Sequence, residues 1–338
     1  MTEQSKIPVP GQPEKGKSLL ERADGAFGFE GLMAAPVPER LPEPATRRSP
    51  QSRKRPPELR ASSETPEVPT SPVVDVQPGA VRPAPSSLEK VEFTGRPQTI
   101  DRARLRANGL IDPDGDVTTL LEEFRIVKRQ ILLAAREAVE AGRGPAAQRV
   151  LVCSPLPGEG KTFCAVNLAL AIAFEKDVEV VLADADFANP SVLSLLGLTA
   201  DKGLMDAFAD PTVRIEDCVI PTDVPGLFVL PAGNRTSSDS EYLAAERTSE
   251  ILDRLTRGAP RRLVIFDSPP ALAASPAAEL AHHVGQALLI CRADQTGQSA
   301  LEDALSLLSA CPDIKLLLNS AHFSPSGRRF GAYYGYGS

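Results

Sequence analysis

From residue 149 onward the chain alternates between two hydrophobic rhythms. Short, largely apolar runs, with Glu179 and Lys315 the only charged residues in them, fall at 150–153, 178–183, 227–230, 263–266, 287–291 and 315–318. Between them, at 163–174, 242–255, 276–284 and 299–309, apolar residues recur at three- and four-residue intervals. The apolar runs predict strands buried on both faces and the spaced segments predict helices. Their alternation predicts an α/β fold, a parallel sheet with helices on both faces. A further helix is expected ahead of the sheet, where Leu120, Leu121, Phe124, Val127, Ile131, Leu132 and Ala135 keep helical spacing until Gly142-Arg143-Gly144-Pro145 breaks it. Thr119 stands three residues before Glu122 at its start, the spacing of a capping box.

Ahead of that helix the rhythm is missing. Seventeen of the 32 prolines lie in the first hundred residues, so residues 1–100 are read as a disordered, Pro-rich leader, 101–325 as the folded domain and 326–338 as a flexible tail. Two stretches of the leader stand out. Residues 18–33 carry Leu19, Leu20, Phe27, Phe29 and Leu32 and read either as a docking peptide or as a solvated tail. Residues 47–60 are basic and Pro-rich, a solvated linker or a segment that touches anionic lipid or nucleic acid.

The first strand runs into SPLPGEGKT, residues 154–162, and helical spacing follows at once. Strand, Gly-rich loop and helix in that order form a phosphate-binding loop, and the fold expected is P-loop NTPase-like. Glycines 158 and 160 let backbone N–H groups turn inward around a polyphosphate, with Pro157 and Glu159 completing the cradle. Lys161 is placed to bridge the β- and γ-phosphates and the Thr162 hydroxyl to hold Mg²⁺. Pro155 departs from the pattern, which has Gly there. Ligands of parallel sheets bind at the carboxyl ends of the strands, and two acidic motifs fall there. VVLADADFANP ends a strand in Asp184 and Asp186, two residues apart and so on one side of an extended chain; LVIFDSPP ends another in Asp267. Carboxylates at buried strand ends need compensation, which Mg²⁺ on a triphosphate supplies.

Of four tyrosines in the chain, Tyr333, Tyr334 and Tyr336 crowd the last six residues among glycines 331, 335 and 337. Beside an ATP site they read as phosphate acceptors. The helix at 120–135 bears Glu122, Arg125 and Lys128 on its polar side, either an ion-paired solvent face or an oligomer contact.

Composition narrows the field. A net charge of −7 argues against a chain that coats nucleic acid. Five scattered cysteines without a C-x-x-C spacing read as core residues of a reducing cytoplasm. No stretch is long and apolar enough to span a bilayer and the start lacks a signal's apolar region. The expected location is the cytoplasm, at the inner face of the plasma membrane where a partner brings the protein there.

SPLPGEGKT, VVLADADFANP, LVIFDSPP and the terminal tyrosines together resemble the bacterial tyrosine autokinases of exopolysaccharide and capsule biosynthesis, the BY-kinases, over residues 122–338. The stand-alone cytoplasmic form found beside exosortase-type loci is the most similar. The resemblance implies a tyrosine kinase using ATP and Mg²⁺. Lys161, Asp184, Asp186 and Asp267 are implied as catalytic residues, and Thr162, Asp184 and Asp267 as metal ligands. Asn319 is implied near the adenine. Glu122, Arg125 and Lys128 fall on the family's ring-packing motif, with Lys where the family has Arg, and Ala188 also replaces a family Arg. Implied partners are further copies in a ring, phosphorylating tails in trans, and a membrane-embedded polysaccharide co-polymerase-like activator. Two other readings are a MinD/ParA-like positioning ATPase, whose second loop lysine is Leu156 here, and a non-catalytic ATP-binding adaptor of a polysaccharide export complex.

Overall fold

A computed structural model describes residues 89–236 and 239–321. The readings of residues 1–88, including 18–33 and 47–60, and of the tail with Tyr333, Tyr334 and Tyr336, lie outside the described residues. Among the described residues two α-helices, α1 (Arg102–Ala107) and α2 (Thr119–Glu140), precede the sheet. Its strands are β1 (Arg149–Cys153), β2 (Glu179–Asp184), β3 (Ile220–Pro221), β4 (Leu227–Leu230), β5 (Arg262–Asp267), β6 (Gln286–Arg292) and β7 (Ile314–Asn319), in the spatial order β3-β4-β2-β5-β1-β6-β7. Every pairing is parallel except β3 with β4. That two-residue edge strand holds Pro221, which has no N–H to give a ladder and is tolerated at a sheet edge.

The runs are largely apolar because successive residues feed opposite faces. Val150, Val152, Val180, Leu182, Leu263 and Ile265 pack with α2 and α3 (Lys161–Ala173) on one side. Leu151, Cys153, Val181, Ala183, Val264 and Phe266 meet the helices of the other side, among them α5 (Leu204–Ala209), α8 (Glu246–Arg254) and α9 (Pro276–Ala281). β1 is buried throughout at the centre, so the loop after it opens in the middle of the sheet's carboxyl edge. All five cysteines are buried and free.

Several expectations shift. The single helix expected at 242–255 is two, α7 (Asp239–Leu243) and α8, separated by an extended Ala245. α2 begins one residue earlier than the capping box implied, with the Thr118 hydroxyl accepting from Leu121 N. Residues 89–100, read as leader, pack on the domain: the Arg262 guanidinium lies 4.2 Å over the Phe93 ring and Ile100 is buried. After β2 the chain carries short helices α4 (Val192–Leu196), α5 and α6 (Ile215–Cys218), in a stretch where the hydrophobic pattern marks no element.

Lys128 is the clearest correction. It lies not on the polar side of α2 but only 8% exposed, its Nζ donating to Ala171 O at 3.1 Å and pairing with Glu175 at 2.7 Å. It stands four residues after Phe124 and three before Ile131, both core residues, so its stem shares their face and its head reaches the last turn of α3. The surface stripe is reduced to the Glu122–Arg125 ion pair.

One polar side chain in the otherwise apolar middle of α3 ties this layer together. Asn167 accepts from Ile111 N at 2.8 Å and donates to Phe163 O at 2.9 Å, fully buried. Asn167→Ala leaves the Ile111 N–H buried without an acceptor. We expect a loss of about 1–3 kcal/mol, read as a lower urea midpoint at unchanged slope; an unchanged midpoint would mean that this bond holds nothing together.

Candidate functional site

The loop that leaves β1 is shaped by its glycines and held from behind. Gly158 and Gly160 take left-handed φ of 79° and 93°, which L side chains rarely adopt. A Cβ on Gly160 would also stand 2.2 Å from Asn319 Nδ2. Glu159 points inward, 4% exposed, accepting from Leu156 N at 2.7 Å and from the Thr296 hydroxyl. Arg292 donates to Gly158 O at 3.2 Å and Asn319 Nδ2 to Glu159 O at 2.8 Å. Three residues from β6, β7 and the turn between β6 and α10 (Gln298–Leu307) thus brace the loop, while Leu156, Pro157 and Gly158 stay exposed. Asn319, expected near a base, serves here as a loop brace. Glu159 was read only as part of the cradle, and no spacing in the sequence marks Thr296 or Arg292, because the contacts that employ them join positions 137 and 134 residues apart.

Lys161 opens α3, and its Nζ lies 2.8 Å from Asp186 Oδ2. Asp186 Oδ1 meanwhile accepts from Asn189 N at 3.1 Å. Asp184 ends β2 in register with Asp267 at the end of β5. Its oxygens accept from the backbone N–H groups of Asp186, Ser191 and Val192 at 3.2, 2.9 and 3.0 Å. Burial pushes its carboxyl up to about 6, with those N–H groups pulling it back. With three of roughly four lone-pair sites in use, Asp184 shapes the loop from Asp186 to Val192 and has little capacity left as an ion ligand.

Asp267 differs. Both its oxygens are buried and without a hydrogen-bond partner. Burial pushes its carboxyl up to about 7, and Lys161 and the Thr162 hydroxyl pull the other way without closing a hydrogen bond onto it. An orphaned buried carboxylate beside a loop of open amides is what a nucleotide-bound cation requires. Among the described residues no three His, Cys, Asp or Glu side chains cluster as a cage that could hold a metal ion by themselves. Lys161, Thr162, Asp184, Asp186 and Asp267 therefore converge on one strand edge. Glu122, Arg125 and Lys128 belong to α2 and take no part in that cluster.

No protein-family model matches the chain. Similar curated proteins include the tyrosine-protein kinase Wzc of Salmonella typhi, 31% identical over 179 residues, 52% of this chain and 24% of Wzc. The tyrosine-protein kinase YwqD of Bacillus subtilis is 27% identical over 190 residues, 56% of this chain and 76% of YwqD. The chain spans 24–30% of the length of the first curated relatives that it matches. Among solved structures, the chimerical protein CapA2B2 shares the fold, with a TM-score of 0.52 and 21% identity over 69% of this chain and 96% of that one. Among the described residues no helix is long and apolar enough to cross a membrane. In its sequence the chain is similar to the bacterial tyrosine-protein kinases, the BY-kinases.

Proposed function

We propose that the protein is an ATP- and Mg²⁺-dependent tyrosine kinase whose acceptors are Tyr333, Tyr334 and Tyr336 in the C-terminal segment of another copy. The observation that carries this reading is Asp267, a buried carboxylate with no partner of its own, beside Lys161 and Thr162 at the mouth of a phosphate loop. Bound Mg²⁺ would offset charge on the phosphates, held by Asp267 and Thr162. Lys161 exchanges Asp186 for the β- and γ-phosphate oxygens. Asp186, so released, orients the incoming phenol and takes its proton, while the γ-phosphorus bond to the ADP oxygen breaks and a bond to the tyrosine oxygen forms. A free phenol, with a pKa of about 10, is mostly protonated at pH 7, so a carboxylate in reach of the hydroxyl matters.

The same reading extends to regulation of exopolysaccharide assembly through a membrane-embedded activator and through association of copies. The Glu122–Arg125 pair is the part of the expected ring contact that remains at the surface. Each phosphotyrosine adds nearly two negative charges, so several of them would loosen an assembly of acidic subunits.

Incubation of the full chain with ATP and Mg²⁺, followed by mapping of phosphosites, tests the reading. Phosphotyrosine confined to positions 333, 334 and 336, and appearing on a Lys161→Met copy only when an active copy is added, is the expected result. Release of phosphate without phosphotyrosine would make the protein a positioning ATPase, and neither product an adaptor.

A further inference from the structure

Beside the carboxylates, a cleft of about 450 Å³ opens where the chain leaves the active strands. Ala188, two residues beyond Asp186, and Pro269, two beyond Asp267, line it together with Ala274, Pro276, Asp239 and Glu241. Its lining holds two carboxylates and no lysine or arginine. Asp239 is held in place by Thr236, whose hydroxyl and N–H donate to Oδ1 at 2.7 and 3.3 Å. Ser240 and Ser275, bonded at 2.6 Å, tie the two walls together. The lining thus offers flat or small apolar surfaces, suited to a phenol ring, next to negative charge suited to a cation.

One segment of this chain carries both complements. After Ala321, at the end of the described residues, come 17 more, 322–338. Arg328 and Arg329 there precede Tyr333, Tyr334 and Tyr336, and no acidic residue follows them. Five residues from Arg328 to Tyr333 reach up to roughly 17 Å when extended. Arginines held in the cleft can therefore present a phenol to the ends of β2 and β5, where the cleft's own walls begin.

We propose that Asp239 and Glu241 select the acceptor, receiving Arg328 and Arg329 of the C-terminal segment so that its tyrosines seat beside Asp186. This rests on the kinase reading and adds to it the residues that decide which tyrosines are used. Ala188 contributes by its small size, leaving open the space that a long side chain would fill.

The test pairs two full-length forms. The kinase carries Tyr333→Phe, Tyr334→Phe and Tyr336→Phe and does not label its own tail; the acceptor carries Lys161→Met and cannot transfer phosphate. Initial rates of phosphotyrosine formation are followed against acceptor concentration. Adding Arg328→Glu and Arg329→Glu to the acceptor should raise KM at least about tenfold while changing kcat little, the loss expected for two charge contacts at a solvent-open cleft. Raising salt from about 0.05 to 0.5 M should raise KM for the basic acceptor and leave the acidic one unaffected or improved. Asp239→Lys with Glu241→Lys in the kinase should impair the basic acceptor and restore the acidic one. Equal KM for both acceptors overturns the assignment, as does a salt response that they share. Should the doubly substituted kinase fail to fold, the acceptor series and its salt dependence decide alone. If the unsubstituted chain makes no phosphotyrosine on any acceptor, the kinase reading fails, and the cleft assignment falls with it; a change in KM that leaves phosphotyrosine formation intact tests the cleft by itself.

Discussion

Lys161→Met should lower ATP-dependent phosphotyrosine formation by at least about 10²–10³-fold, the scale on which loss of one charge-stabilising donor is felt at a transition state. The structure adds an effect that appears without nucleotide. Lys161 pairs with Asp186 at 2.8 Å and also pulls on the Asp267 carboxyl. Methionine fills much of the same space but leaves Asp184, Asp186 and Asp267 together without that ammonium. The variant should therefore melt lower than the unsubstituted protein near pH 8. The gap should narrow on acidification as the raised carboxyls of Asp184 and Asp267 take up protons and need no counter-charge. Thermal melts across pH 5–8 with no nucleotide added measure this. A melting point independent of Lys161 at every pH would mean that the resting ion pair contributes nothing.

The second large effect runs the opposite way in stability. Asp267→Asn should abolish phosphotyrosine yet make the nucleotide-free protein more stable. The Asp267 carboxyl is raised to about 7 in the fold, against about 3.9 in an unfolded chain. A raised carboxyl binds its proton more tightly in the native state. Its contribution to stability is complete below about pH 4 and is lost as pH rises through about 7. Above that range the native state holds a buried anion with no hydrogen bond. Asparagine has the same shape and no charge. At pH 8 the gain should be of order 2–4 kcal/mol, several degrees in Tm for a domain of this size, and at pH 4 it should vanish. Asp184, also raised, stays in both proteins and adds a slope of its own. Adding ATP and Mg²⁺ should reverse the ranking, since only the carboxylate gains from the ion. Equal melting points at pH 8 would show that burial of this carboxylate carries no uncompensated cost.

The sheet was legible because its strands are buried on both faces. All six predicted strands have ends within one residue of those observed, as at 178–183 against Glu179–Asp184, and 227–230 coincides. The loop and its acids were legible because phosphate chemistry constrains residue types over short stretches. What could not be read depends on distant parts of the chain. The break between α7 and α8 has no Gly or Pro behind it: Thr248, drawn from the next helix, donates to Tyr242 O at 2.6 Å and Leu243 turns into the core. Lys128 reads as polar by type, but its position relative to Phe124 and Ile131 puts it inside. Asp184 and Asp186 look alike in sequence, yet one caps a backbone loop and the other meets Lys161; only the surrounding amides tell them apart.

Asn319 closes β7 and holds the carbonyl of Glu159, and Ser320, left-handed at φ 55°, turns the chain one step later. The last residue of the sheet is therefore tied directly to the back wall of the phosphate loop, so a change in that loop would be felt first at the final turn of β7, with no other element between them.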